Sequence, residues 1–182
     1  HTPYAYSKFG AELEVWRATQ EGVPAVIVNP GVILGNGVQG NPLELLCKQV
    51  DKHLPFYPKG ATGYVTVEDV VQVLTDLMDS ETKNERFILV AENWSYEQML
   101  RRIALIRKKR PPRIALRKSW LQVAWGLEGI LSLFGKRRFM TKALISSLCD
   151  VKHIQGNRIL QETAFRYSDI ETYLTDHAMK KD

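Results

Sequence analysis

The sequence predicts an α/β fold, a parallel sheet that passes into a mostly helical carboxyl-terminal region. Three observations predict it. Ala25-Val-Ile-Val28 is apolar without alternation, as expected of a parallel strand covered on both faces. Strand-like Gly63 to Thr66, helix-spaced Val67 to Met78 and strand-like Glu85 to Val90 follow one another, the order of a strand–helix–strand unit. Beyond Ser95 the apolar residues recur mostly at helical spacing.

With 182 residues, 45% of them hydrophobic, the chain can bury one compact core and a small part of another. Cys47 and Cys149 have neither metal-ligand spacing nor the density of a disulfide framework, which implies a reduced, cytoplasmic protein. His1, His53, His153 and His177 form no close pair, so no metal site is expected. No apolar run reaches the length of a membrane span, and no signal peptide opens the chain. The first residue is not Met and stands inside what should be a conformational unit, so a fragment of a longer protein is expected.

The first helix is expected from about Pro3 to Gln20. Pro3 suits a first turn, where its missing N–H would have no partner. Phe9, Leu13 and Trp16 make the expected core stripe, and Gly22 the C-cap. A strand covers Val23 to Asn29. Pro30 is expected to stop its ladder and Gly31 to permit an unusual backbone angle. Gly35 to Gly40 reads as a flexible loop. Asn41, Pro42 and Glu44 then open a helix as N-cap, first residue and reaching-back carboxylate. His53 to Pro58 is a loop, with Phe56 and Tyr57 either lining a cleft or simply packed.

Thr66 and Asp69 read as a capping box, which makes Asp69 a structural first-turn carboxylate and not a catalytic one. Ser95 and Gln98 repeat the pattern ahead of Tyr96, Met99, Leu100, Ile103 and Ile106, and Pro111-Pro112 ends that helix. Arg101 to Lys118 holds nine basic residues and no acidic one. A solvated basic face is the plain reading and an anionic or diphosphate patch the other. Nucleic acid is not expected, because no aromatic platform or docking helix accompanies the charge.

Trp120 to Phe134 is a fifteen-residue apolar helix candidate between basic flanks, too short and too polar to cross a bilayer. It is read as buried in the helical region or in a dimer contact. A helix lying on an anionic membrane surface is the other reading. Phe139 to Leu148 continues helical. Ser168-Asp-Ile-Glu171 caps the last helix, with Ile170, Tyr173 and Leu174 inward.

Chemistry concentrates in the first twelve residues. Tyr4 and Lys8 stand four apart, so a helix places both on one face, a turn from each other. A nearby ammonium favours the phenolate and pulls a tyrosine down from its ordinary value of about 10. A phenol tuned in this way can give or take a proton at a hydroxyl or carbonyl. The bland alternative is a surface tyrosine beside a solvated lysine.

The run Tyr4-Ala-Tyr-Ser-Lys8-Phe-Gly-Ala-Glu12 resembles the active-site helix of the extended short-chain dehydrogenase/reductase family. That family includes nucleotide-sugar epimerases and dehydratases and dihydroflavonol-reductase-like enzymes. Ala25 to Gly35 looks like its strand and proline-containing turn, and Gly63 to Val71 like its strand–helix segment. The resemblance covers essentially the whole chain but only the carboxyl-terminal portion of a family member. It implies the last part of a Rossmann-type, NAD(P)-binding, doubly wound parallel sheet plus a mostly helical substrate-binding domain. On that division residues 1–35 end the Rossmann domain, and 36–84 begin the substrate domain with a strand and helix. Residues 85–94 return a strand to the sheet, and 95–182 form the helical substrate-binding domain.

The resemblance also implies roles. Tyr4 would be the catalytic acid/base, and Lys8 would tune it and bind the nicotinamide ribose. Pro30, Gly31 and Val32 would lie against the nicotinamide carboxamide. Asn29 stands where sugar-nucleotide epimerases often have Arg, which leans towards the reductase-like branch. Thr163-Ala-Phe165 replaces the family's Leu-Gly-Phe turn. Gly35, Gly37 and Gly40 have G-x-G-x-x-G spacing, but they follow the later strand and are not read as the pyrophosphate turn, and the family's catalytic Ser or Thr has no match here. NAD or NADP is therefore expected in the parent protein, with none bound to this chain, which is expected to be inactive alone. A small-molecule substrate is the expected partner, a homodimer is left open, and peripheral membrane contact is a lesser expectation. The alternative function is a non-catalytic substrate-type domain that holds a partner or an anionic membrane surface through its basic and Trp-rich helices.

Overall fold

Caps and punctuation fix the helices. Pro3 opens α1 (Pro3–Gln20), and Gly22 closes it in the left-handed region at φ 91°. Asn41 caps α2 (Pro42–Asp51), accepting the Glu44 N–H at 2.8 Å, while the Glu44 carboxylate reaches back to the Gly40 N–H. Thr66 caps α3 (Val67–Met78) through the Asp69 N–H at 3.1 Å. Ser95 and Gln98 make the full reciprocal box at α4 (Tyr96–Ile106). The later helices are α5 (Lys142–Cys149), α6 (Arg158–Glu162) and α7 (Ile170–His177). The computed structural model describes residues 3–35, 40–123, 125 and 141–179. Most of the Gly35–Gly40 loop, nearly all of Trp120–Phe134 beyond 123, and 139–140 lie outside the described residues; 118–123 are helical.

The strands are β1 (Val26–Pro30), β2 (Val32–Leu34), β3 (Phe56–Pro58), β4 (Ala61–Thr66), β5 (Glu85–Leu89), β6 (Glu92–Ser95) and β7 (Ile114–Leu116). β1 pairs with β5 in parallel. β4 pairs with β2 in parallel and with β6 antiparallel. β3, expected as loop, pairs in parallel with β7, which lies inside the basic stretch. The segment expected as one returning strand is two: β5 stays with β1, the chain bends at Val90-Ala91, and β6 joins β4.

Two expectations at the end of β1 need correction. The ladder does not stop before Pro30, which pairs in register with Leu89, and the Gly31 N–H donates to the Leu89 carbonyl at 2.9 Å. Residues of that parity face β5, so the Pro30 nitrogen points to the opposite edge, where β5 asks for no donor. Nor is Gly31 left-handed. It is needed for close approach, since a Cβ there would sit 2.5 Å from the Gly63 carbonyl oxygen of β4.

β4 divides the core. Tyr64 faces a cluster of Leu34, Leu43, Val50, Met99, Leu100 and Ile103, closed by Ile170 and Leu174 of α7. Val65 faces the other cluster, Val73, Leu77, Phe87, Leu89 and Ile159. Asp69 is buried and structural, as expected, but it does not complete a capping box. Its carboxylate accepts the Ser168 N–H and, at 2.7 Å, the Ser168 hydroxyl. Ser168 is thereby spent, and the cap of α7 falls to Asp169, which accepts the Thr172 N–H at 2.6 Å. Arg107 ties the ends of α2 and α7 together through Asp51, at 2.7 Å, and the Ala178 carbonyl.

The expected core stripe of α1 is not buried. Phe9 is 61% and Leu13 50% exposed, Trp16 is half-buried, and within α1 only Thr19 is buried. Apolar residues lie on the other sides of α1 as well, so the stripe is not a distinct apolar face, and of its members only Trp16 is partly covered.

Candidate active site

α1 positions Tyr4 and Lys8 by its 3.6-residue period alone. They fall one turn apart, and the Lys8 Nζ lies 5.8 Å from the centroid of the Tyr4 ring. Both side chains are open, Tyr4 at 72% exposure.

One turn further along, Glu12 locks the helix to the sheet. Its carboxylate accepts from Arg86 of β5 at 2.9 Å, from Asn29 of β1 at 3.3 Å and from Trp16 at 3.4 Å. The Arg86 hydrogen bond is the largest influence. With Asn29, Trp16 and the Arg86 charge, it holds the carboxyl below the usual glutamate range against the opposing effect of burial.

This anchor sets where Tyr4 and Lys8 stand. Glu12 meets β1 at Asn29, next to the strand's carboxyl end, and α1 leads back into that strand through residues 21–25. A helix rises about 1.5 Å per residue, so Lys8 and Tyr4 project roughly 6 and 12 Å past that contact, beyond the carboxyl end of β1. In open α/β sheets ligands sit at this end. Pro30, Gly31 and Val32 are at the same end, as the link by which the chain leaves β1 for β2. Val32 is half-buried against the core, which fixes the link from below. Arg86 was not visible as part of this arrangement in the sequence. Its only sign was a cation next to the apolar run Phe87-Ile-Leu89 of the strand.

Tyr64 and Tyr173 do not belong to the open site. Their hydroxyls are buried, and burial pushes both phenols up. No group of three or more His, Cys, Asp or Glu among the described residues is placed to hold a metal.

No family model matches the chain. A protein provisionally named dihydroflavonol 4-reductase, from Synechocystis sp., is 25% identical over 181 residues, 95% of this chain and 52% of that protein. The crystal structure of gox2253 superposes with a TM-score of 0.76 at 24% identity, covering 95% of this chain and 54% of that one. In sequence and fold, this chain resembles the carboxyl-terminal half of an extended short-chain dehydrogenase/reductase. A UDP-glucose 4-epimerase from Stenotrophomonas maltophila, solved with bound NAD and formylated UDP-arabinopyranose, shares the fold at a TM-score of 0.66 and 12% identity. It is matched over 98% of this chain and 54% of its own. The chain thus spans about half the length of the proteins it matches. No described helix is long and apolar enough to cross a membrane.

Proposed function

We propose that this chain is the proton-transfer half of a nicotinamide-dependent oxidoreductase or epimerase. The observation that supports it is the Lys8 ammonium over the Tyr4 ring on an open face past the end of β1. In a reduction Tyr4 gives its proton to the substrate carbonyl oxygen; in an oxidation it takes one from the substrate hydroxyl. Lys8 stabilises the phenolate left behind by its charge one turn away. Glu12 positions both by holding α1 to β1 and β5.

The open phenol, ammonium and Pro30–Val32 link suit the nicotinamide–ribose end of NAD or NADP. When bound, that group supplies or accepts a hydride at the substrate carbon. Its pyrophosphate end needs a turn whose glycines themselves open a helix; Gly35, Gly37 and Gly40 have the spacing, but α2 begins only at Pro42, after the last of them. The chain alone is therefore inactive, and a longer cytoplasmic protein does the chemistry on a small carbonyl or carbinol substrate. Residues 1–35 and the strand at 85–89 serve the nucleotide side and 95–182 the substrate side.

The test is Tyr4→Phe in the longer protein, screened with NADH and NADPH against carbonyl and sugar-nucleotide substrates. Loss of kcat by about 10²–10⁴-fold with KM little changed is expected. An unchanged kcat would remove Tyr4 from the mechanism. Calorimetry of the 182-residue chain with either nucleotide should show no tight binding, and stoichiometric binding would overturn the inactive-half reading.

A further inference from the structure

The ends of α2 and α4 share an unusual turn. Each helix closes with its next residue but one in the left-handed region, where glycine is the usual choice, yet those residues are His53 at φ 52° and Lys108 at φ 53°. Leu54 N–H bonds back to Gln49 and Lys109 N–H to Ala104, closing both turns. The two ends flank one hollow of about 760 Å³, walled by His53, Leu54, Lys108, Lys109, Arg110 and Arg113, with Ile114 and two prolines. No carboxylate lines it.

The charges here differ from the others in the same basic run. Arg101, Arg102 and Arg107 are each paired, with Glu97, Glu171 and Asp51. Lys108, Lys109, Arg110 and Arg113 are exposed, and among the described residues none has a carboxylate within 4.0 Å. A helix C-terminus favours a cation, which accounts for His53 and Lys108 but not for the other three gathered on the same hollow.

The chemistry of the wall selects the ligand. The backbone N–H groups of His53, Leu54, Lys108, Lys109, Arg113 and Ile114 are all spent on carbonyls, so there is no amide cradle of the kind that seats a small phosphate. What remains is side-chain charge on flexible stems, suited to a spread of phosphates. No Phe, Tyr or Trp lines the hollow as a platform for base stacking, and the one ring there is the His53 imidazole. Its exposed apolar members are aliphatic, Leu54 at 45% and Ile114 at 42%, with Leu105 at 66% on the last turn of α4. We propose that this hollow is a docking surface for an anionic phospholipid membrane, its cations on the headgroups and Leu54 and Ile114 against the interface.

Co-sedimentation of the 182-residue chain tests it, with phosphatidylcholine vesicles and with the same vesicles containing about a third phosphatidylserine. The chain should pellet with the anionic vesicles only. It should be released when ionic strength rises from about 0.1 M to about 1 M, which shortens the screening length from about 10 Å to about 3 Å. The surface variant Lys108→Gln/Lys109→Gln/Arg110→Gln/Arg113→Gln should keep its circular dichroism. Each lost cation lowers partitioning about fivefold, the four together by roughly two to three orders of magnitude. Arg101→Gln, already neutralised by Glu97, should bind like the parent. Equal pelleting on neutral vesicles, or full binding by the fourfold variant, would refute the proposal. Displacement by inorganic pyrophosphate at constant ionic strength would reassign the hollow to small phosphates. Tighter binding of single-stranded oligonucleotides than of vesicles would reassign it to nucleic acid.

Discussion

Helices α1 and α4 both carry apolar residues, gathered on one face in α4 and spread around α1, and the two behave differently in the fold. Each has apolar residues at helical spacing. In α4, Met99, Leu100, Ile103 and Ala104 are wholly buried, and a fully buried large apolar side chain contributes about 1.5–3 kcal/mol over an exposed one. In α1 the corresponding stripe is open at Phe9 and Leu13, and a carboxylate, not a core, attaches the helix to the sheet. Three residues at helical spacing are therefore a weak sign of burial where other apolar residues, here Tyr4, Ala11 and Val15, lie around the rest of the helix. Helices in proteins draw most of their stability from tertiary contacts, and for α1 the Glu12 carboxylate supplies such a contact, to β1 and β5.

The contrast can be broken or sharpened by mutation. Leu100→Ala should cost about 2–5 kcal/mol in urea unfolding, because it empties a site with no exposure. Asp69→Ala should cost about 1–3 kcal/mol, since the Ser168 N–H and hydroxyl lose their acceptor. Glu12→Gln should act on α1 alone and be seen as pH dependence. The folded-state carboxyl sits below the ordinary glutamate value of about 4.3, chiefly through Arg86. Its contribution is therefore complete above that value and is lost as pH falls through the depressed one. Amide-exchange protection of α1 should drop in that acid range, and the Gln variant should flatten the drop. Phe9→Ala, on the open stripe, should shift stability by no more than about 0.5 kcal/mol. A large effect would mean that the α1 face is covered in solution.

The parts of the fold that were legible carried local signals. The bounds of α1 and the caps at Asn41, Thr66 and Ser95 are written in adjacent residues. The short strands β3 and β7 were not legible, because three residues show no alternation and their pairing joins Phe56 to Ile114 across the chain. The cap of α7 was misplaced by one residue because Ser168 is claimed by Asp69 from a distant helix. In the candidate site, Tyr4 and Lys8 were visible as a spacing, whereas Arg86 reaches Glu12 from 74 residues away. The basic hollow was half visible: the run from Arg101 announced the charge, but only folding sorts its paired arginines from its unpaired ones and brings His53 alongside.

Pro30 has a wider effect than its own bond. Any strand that docks on the outer side of β1 finds amide donors at Val26 and Val28 and none at Pro30. Such a pairing would lose a ladder bond at Pro30, the end of β1 past which Tyr4 and Lys8 project.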